Sequence, residues 1–249
     1  MEKPFVQIYE IQRPDEALEM VRLGVDHVGS VLVSARKWRD TAVAETVSAV
    51  REAGGVSSLI PLFSGVDEVL AVAGHYRPDI VHLCDTLCDE TGRTVDLAPH
   101  LALQEALRGR FPGLRIMRTI PIAPPGRGRE VESLAIAREF GPLSDLFLTD
   151  TWLGRGDPVA GYVGITGRTC DWNVAARLVA ADIRPVVLAG GLGPDNVYDG
   201  VLRVRPAGVD SCTRTNVAGA DGKPVRFSKD AEKVAAFVME AARAAKAVS

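Results

Sequence analysis

Asp150 closes an apolar run, Leu146-Phe147-Leu148-Thr149. A carboxyl there faces an apolar wall, where burial raises its pKa and fits it to give up a proton as a general acid. Its alternative use is to cap or orient the loop that follows. Other short apolar runs end on groups that move protons or grip ligands. Phe5 to Tyr9 leads to Tyr9-Glu10, Asp26 to Val33 to Ser34-Ala35-Arg36, and Asp79 to Leu83 to Cys84-Asp85. Arg36 carries a planar fork that suits a carboxylate, or is a plain surface arginine. Val186 to Ala189 ends at Gly190-Gly191, and Pro194-Asp195-Asn196 then signals a helix start. Paired glycines let backbone N–H groups approach a ligand, and a helix N-terminus behind them favours an anion. Ala207 to Val209 ends at Asp210-Ser211-Cys212-Thr213, a small polar loop. The other reading of the pair of loops is an ordinary βαβ connection.

These groups meet only if the runs are neighbouring parallel strands. Val56 to Phe63, Leu114 to Ile120 and Leu146 to Thr149 complete the set of strands. Helical stretches separate or follow them at Pro14–Leu23, Thr41–Ala53, Val66–His75, Leu97–Arg110, Glu130–Phe140, Trp172–Ala181, Asp195–Val204 and Asp230–Ala245. Strands that are apolar throughout suit a parallel sheet covered by helices. Eight such units in 249 residues predict one (β/α)8 barrel, a single α/β domain over residues 1–249, since such barrels typically need about 250 residues. An open doubly wound sheet is the runner-up, but its usual G-x-G-x-x-G after the first strand is absent. In a barrel, the C-terminal strand ends carry the chemistry, and the loops after strands seven and eight often hold a phosphate. The stretch from Thr151 to Asp171, with five glycines, reads as a functional or mobile loop, and Thr151 to Thr169 within it as a candidate lid.

A net charge of −3 gives no footprint for nucleic acid or an anionic membrane. No apolar run reaches the roughly 18 residues of a membrane span. Cys84 and Cys88 are four apart, but no second Cys/His pair completes a zinc site, so no metal is expected. Four scattered cysteines and no secretory signal point to the reducing cytoplasm. The expected partner is a small phosphorylated substrate, bound by a monomer or homodimer.

Four stretches carry a family resemblance. VQIYEIQRPDEALEMVRLGVDHVGSVLV is similar to an opening K-I-C-G-I-T strand that leads to G-A-D-x-x-G-F. Ser34-Ala35-Arg36 is similar to S-x-R. FLTDT followed by GITGRTCDW resembles L-L-D-T and G-G-T-G-K-T-F-D-W. LAGGLGPDNVYDGVLRVRPAGVDSCTRTN resembles L-A-G-G-L-x-P-E-N-V through V-R-P-x-x-V-D-x-S-S-G-V-E. These are motifs of the phosphoribosylanthranilate isomerases, barrel enzymes of tryptophan biosynthesis, and the similarity spans nearly the whole chain in order. It implies an Amadori rearrangement without metal or redox cofactor. A phosphoribosylamine ring opens and a proton moves, giving an enol-amine that becomes a 1-deoxyribulose phosphate. The resemblance places the family's acid on Asp150, its anthranilate-contacting arginine on Arg36 and its phosphate loops on Gly190-Gly191 and Ser211, Cys212 and Thr213. Asp210 falls on the family's aspartate before the last loop, a substrate contact.

Several positions depart from the pattern. The family's general-base cysteine falls on Tyr9, a phenol with an ordinary pKa near 10, and the glycine after it is Glu10. The histidine of its Q-L-H-G falls on Cys84, and the glycine of its last loop on Thr213 or Arg214. Tyr9, Glu10 and Cys84 are therefore the candidate bases, with simple packing the alternative for Cys84. Three functions remain open: the isomerase with altered catalytic parts, a barrel acting on another sugar phosphate or aromatic amine, and a non-catalytic barrel that binds a phosphorylated ligand.

Overall fold

The computed structural model describes residues 3–156 and 158–247. Eight strands close into a parallel barrel in sequence order: β1 (Phe5–Ile8), β2 (His27–Leu32), β3 (Val56–Pro61), β4 (Ile80–Leu83), β5 (Arg115–Ile122), β6 (Leu146–Thr151), β7 (Val186–Leu188) and β8 (Gly208–Ser211). Pairing of Phe5 with Gly208 through Ile8 with Ser211 seals β1 to β8. Around them run α1 (Pro14–Arg22), α2 (Thr41–Glu52), α3 (Val66–Tyr76), α4 (Ala98–Arg110), α5 (Ser133–Phe140), α6 (Trp172–Ala180), α7 (Val197–Val204) and α8 (Ala231–Ala247).

Local chemistry sets these elements. Asp40 and Asp171 cap α2 and α6 by accepting from the amides of Ala42 and Asn173, each at 2.9 Å. Pro14 opens α1, where its missing N–H costs nothing. All six residues of β2 are buried, because one face meets the barrel interior and the other the helices. Val6, Ile8, Val28, Val209 and Phe237 belong to the layer between sheet and helices. Tyr9, Met117, Leu148 and Val187 belong to a second cluster that fills the barrel.

The structure corrects several boundaries. Asp150 lies within β6, and Asp210 and Ser211 lie within β8, so these side chains are fixed by the sheet rather than by loops. Helix α7 begins at Val197, not Asp195, and α5 at Ser133, not Glu130. Two more strands follow the barrel: β9 (Asn216–Ala218) and β10 (Pro224–Lys229) form an antiparallel hairpin. Its alternation is weak and its strands are largely exposed, so no buried apolar run announced it.

The segment after β6 is irregular, as expected, and it crosses to the far side of the mouth. Val163 N–H donates to the Cys84 carbonyl at 3.0 Å and Thr86 N–H to that of Gly161 at 2.9 Å. Among the described residues, no helix is long and apolar enough to cross a membrane, and no group of three or more His, Cys, Asp or Glu side chains is placed to hold a metal ion.

Candidate active site

Two cavities lie at the C-terminal ends of the strands. The larger, about 560 Å³, is mainly apolar, with walls from Val31, Ile60, Leu62, Leu148 and Tyr162. The smaller, about 300 Å³, is mainly polar and is lined by Gly167, Gly190, Gly191, Ser211, Thr213 and Arg214. They share Asp150, Ile165, Asp210 and Cys212, so two carboxyl groups stand where an apolar lobe meets a polar one.

The polar lobe depends on glycine. Gly167, Gly190 and Gly191 have φ of +62°, +87° and +61°. A Cβ on Gly191 would lie 2.4 Å from the Arg168 carbonyl carbon, a contact with backbone that cannot swing aside. Ser211 donates to the Leu192 carbonyl at 2.8 Å and ties the two loops together. The Arg214 guanidinium is held by Asp195 at 2.5 Å and by the Gly191 carbonyl at 3.2 Å, bringing a cation to the rim. A backbone-lined concavity with a cation at its edge suits an anion.

At the seam, Asp150 accepts from its neighbour Thr151 N–H at 2.7 Å. Gly164 passes directly over it: a Cβ there would sit 2.1 Å from Oδ2. Asp210 is buried and accepts from Gln7 Nε2 at 3.0 Å. Burial, with the Asp150 charge adding to it, pushes the Asp210 carboxyl up to about 7, against the pull of Gln7 and Lys229. Sequence reasoning missed Gln7, although a glutamine in the run FVQIY was a signal. It lies two residues before Tyr9, so both project to the same side as the chain leaves β1.

Two of the three candidate bases are committed elsewhere, and the third is held protonated. Tyr9 projects inward across Gly29, where any Cβ would lie 2.1 Å from its ring. Its hydroxyl bonds Ser58 Oγ and shares a 2.8 Å hydrogen bond with His82 Nδ1, whose Nε2 shares one of 2.7 Å with Thr119 Oγ1. Burial raises the Tyr9 phenol well above its ordinary value and depresses His82 to about 3, so both are neutral at pH 7. Burial also pushes the Cys84 thiol far up, so no thiolate is at hand there. Glu10 sits at φ +65°, a backbone state natural to glycine. Its carboxylate accepts from Arg226 Nε at 2.6 Å and from the Phe227 amide at 3.3 Å, both on β10. The hairpin thus neutralises the charge that Glu10 brings to the mouth.

The other predicted residues divide. Gly190, Gly191, Ser211, Cys212 and Thr213 come together in the polar lobe as expected. Cys212 contributes a thiol that burial keeps protonated, and its carbonyl accepts from Lys229 Nζ at 2.9 Å. Arg36 is exposed in the turn after β2 and lines neither lobe.

The fold and this mouth define a (β/α)8 barrel with a two-lobed, carboxyl-bearing site. The family model for N-(5′-phosphoribosyl)anthranilate isomerase matches residues 119–240. The N-(5′-phosphoribosyl)anthranilate isomerase of Methanocella arvoryzae is 30% identical over 217 residues, 84% of this chain and 87% of that protein. The chain belongs to the phosphoribosylanthranilate isomerase family. The fold agrees: the isomerase crystal structure from Thermotoga maritima superposes with a TM-score of 0.67 at 20% identity, covering 96% of this chain and 98% of that one. A second isomerase structure, at TM-score 0.61, 19% identity and the same coverage, holds reduced 1-(o-carboxyphenylamino)-1-deoxyribulose 5-phosphate.

Proposed function

We propose that this chain is a phosphoribosylanthranilate isomerase that converts its phosphoribosylamine substrate to the 1-deoxyribulose phosphate by general acid and base steps. The observation that carries this reading is the seam: Asp150 and Asp210 border both a polar, glycine-lined lobe and an apolar one. The substrate has the same order of parts, a phosphate, a ribose and an aromatic ring. With the phosphate among Gly190, Gly191, Ser211 and Thr213 and the ring against Leu148 and Tyr162, the ribose meets the carboxyls. Asp150 then donates to the ring oxygen as the C1′–O bond opens. Arg36, exposed on the turn after β2, is the residue that the family resemblance assigns to the anthranilate carboxylate.

The test is turnover of freshly made phosphoribosylanthranilate by the purified chain, followed by the change in fluorescence, with Asp150→Asn alongside. Turnover that the substitution abolishes supports the isomerase. The neutral Tyr9 and Cys84 favour the second reading, a barrel that binds a phosphorylated ligand without this chemistry. Absence of turnover, with inorganic phosphate still raising the melting temperature, would establish that reading instead.

A further inference from the structure

With Tyr9 and Glu10 committed to other partners and Cys84 held as a buried thiol, the isomerase reading lacks a group to take the C2′ proton. We propose that Asp210 is that general base, the carboxyl oxygen left by Gln7 accepting the proton that a cysteine accepts elsewhere in the family. The assignment rests on the isomerase reading. Three observations support it. Asp210 lines both lobes, so it borders the place where a ribose would lie. Gln7 holds its Oδ1 at 3.0 Å and is itself fully buried, its Nε2 4.0 Å from Met117 Sδ. That leaves one oxygen for the substrate in a fixed orientation. The charged and titratable groups around Asp210 are Asp150 on β6, Tyr9 just after β1, Cys212 after β8 and Lys229 on β10. Burial, with the Asp150 charge adding to it, raises its carboxyl to about 7 against the pull of Gln7 and Lys229, so the two carboxyls share one proton, and the reactive form carries it on Asp150 with Asp210 free to take another.

The step balances. Asp150 gives its proton to the ring oxygen as the C1′–O bond breaks, leaving a protonated imine. Asp210 takes the C2′ proton; the C–H electron pair forms the C1′=C2′ bond and the imine electrons return to nitrogen. Asp210 then gives its proton to C1′ while the enol O–H proton restores Asp150, and the ketone results. No oxidant or reductant is needed.

The experiment uses the full chain, Asp210→Asn and Asp210→Glu. The expected result is a kcat about 10³-fold lower for Asp210→Asn, and at least about tenfold recovery in Asp210→Glu. Binding of the reduced carboxyphenylamino-deoxyribulose phosphate, measured by calorimetry, stays within about threefold of wild type. The acid limb of the wild-type kcat/KM profile, expected near pH 7, disappears from the residual activity. The assignment is overturned if Asp210→Asn keeps more than about a tenth of wild-type kcat. It is also overturned if analogue binding falls as far as kcat/KM, since Asp210 then only holds substrate. A wild-type chain without turnover overturns the isomerase reading and the base together. Turnover that survives Asp210→Asn overturns the base alone.

Discussion

The loops after β7 and β8 build their lobe from backbone. Gly190 and Gly191 take positive φ, Ser211 ties one loop to the other, and Arg214 adds charge from the rim. The ends of β1 and β4 build theirs from side chains whose ionisation is suppressed. Tyr9, His82 and Cys84 are buried and neutral, and Glu10 is matched by Arg226. A backbone lobe needs only certain residues at certain spacings, whereas a proton-transfer group needs an environment. Between the two stands the carboxyl pair, which gives the first way to break the contrast. Asp150→Asn should lower kcat by about 10³-fold while the melting temperature stays near that of wild type. Undiminished turnover would move the chemistry away from the seam, toward β1 and β4.

The backbone lobe is tested at Gly191. A valine there meets the Arg168 carbonyl carbon and must hold φ near +61°. A β-branched residue in that region costs on the order of 1–2 kcal/mol before the clash is counted. Gly191→Val should raise KM more than about tenfold, lower the melting temperature by several degrees and remove stabilisation by added phosphate. A variant that keeps its phosphate response would show that side chains, Arg214 foremost, carry the lobe.

The same contrast explains what could be read in advance. The barrel was legible because short apolar runs alternate with helical stretches eight times along the chain. The polar lobe was legible because LAGGLGPDN places glycines where only glycine fits. Asp150 was legible as a carboxylate ending an apolar run. The fates of Tyr9 and Cys84 were not. Nothing in YEIQ or HLCD says that Ser58 and His82 satisfy the phenol, or that desolvation holds the thiol protonated. The partner of Glu10 lies 216 residues away on a hairpin without a buried stripe. Gln7 could have been noticed, but its bond to Asp210 spans 203 residues and depends on closure of β1 on β8.

The cost of such an environment is itself measurable. Asp210 is raised from 3.8 to about 7 in the fold, so between these values the native state binds the extra proton. Stability therefore falls as pH rises from about 4 to 7, and the penalty is complete above that range. Asparagine keeps an oxygen for Gln7 and removes the charge. Asp210→Asn should be more stable than wild type at pH 8, by on the order of 2–4 kcal/mol in urea denaturation, with the difference vanishing below pH 4. A variant less stable than wild type at pH 8 would show that Lys229 and Gln7 compensate the buried charge in full.

Tyr9→Phe sharpens the comparison from the other side. The phenylalanine ring keeps the packing over Gly29 and the apolar floor, but loses the hydroxyl that Ser58 and His82 share. His82 retains Thr119 through its other nitrogen, so one buried ring nitrogen and one serine lose a partner. Leaving such groups unsatisfied costs on the order of 1–3 kcal/mol, which a denaturation curve resolves. If the hydroxyl belongs to the floor, kcat changes by less than about threefold while stability falls. If kcat instead drops steeply and the fold holds, the neutral phenol relays a proton. The β1 end would then belong to the chemistry after all, with Asp210 and Tyr9 sharing the proton transfer.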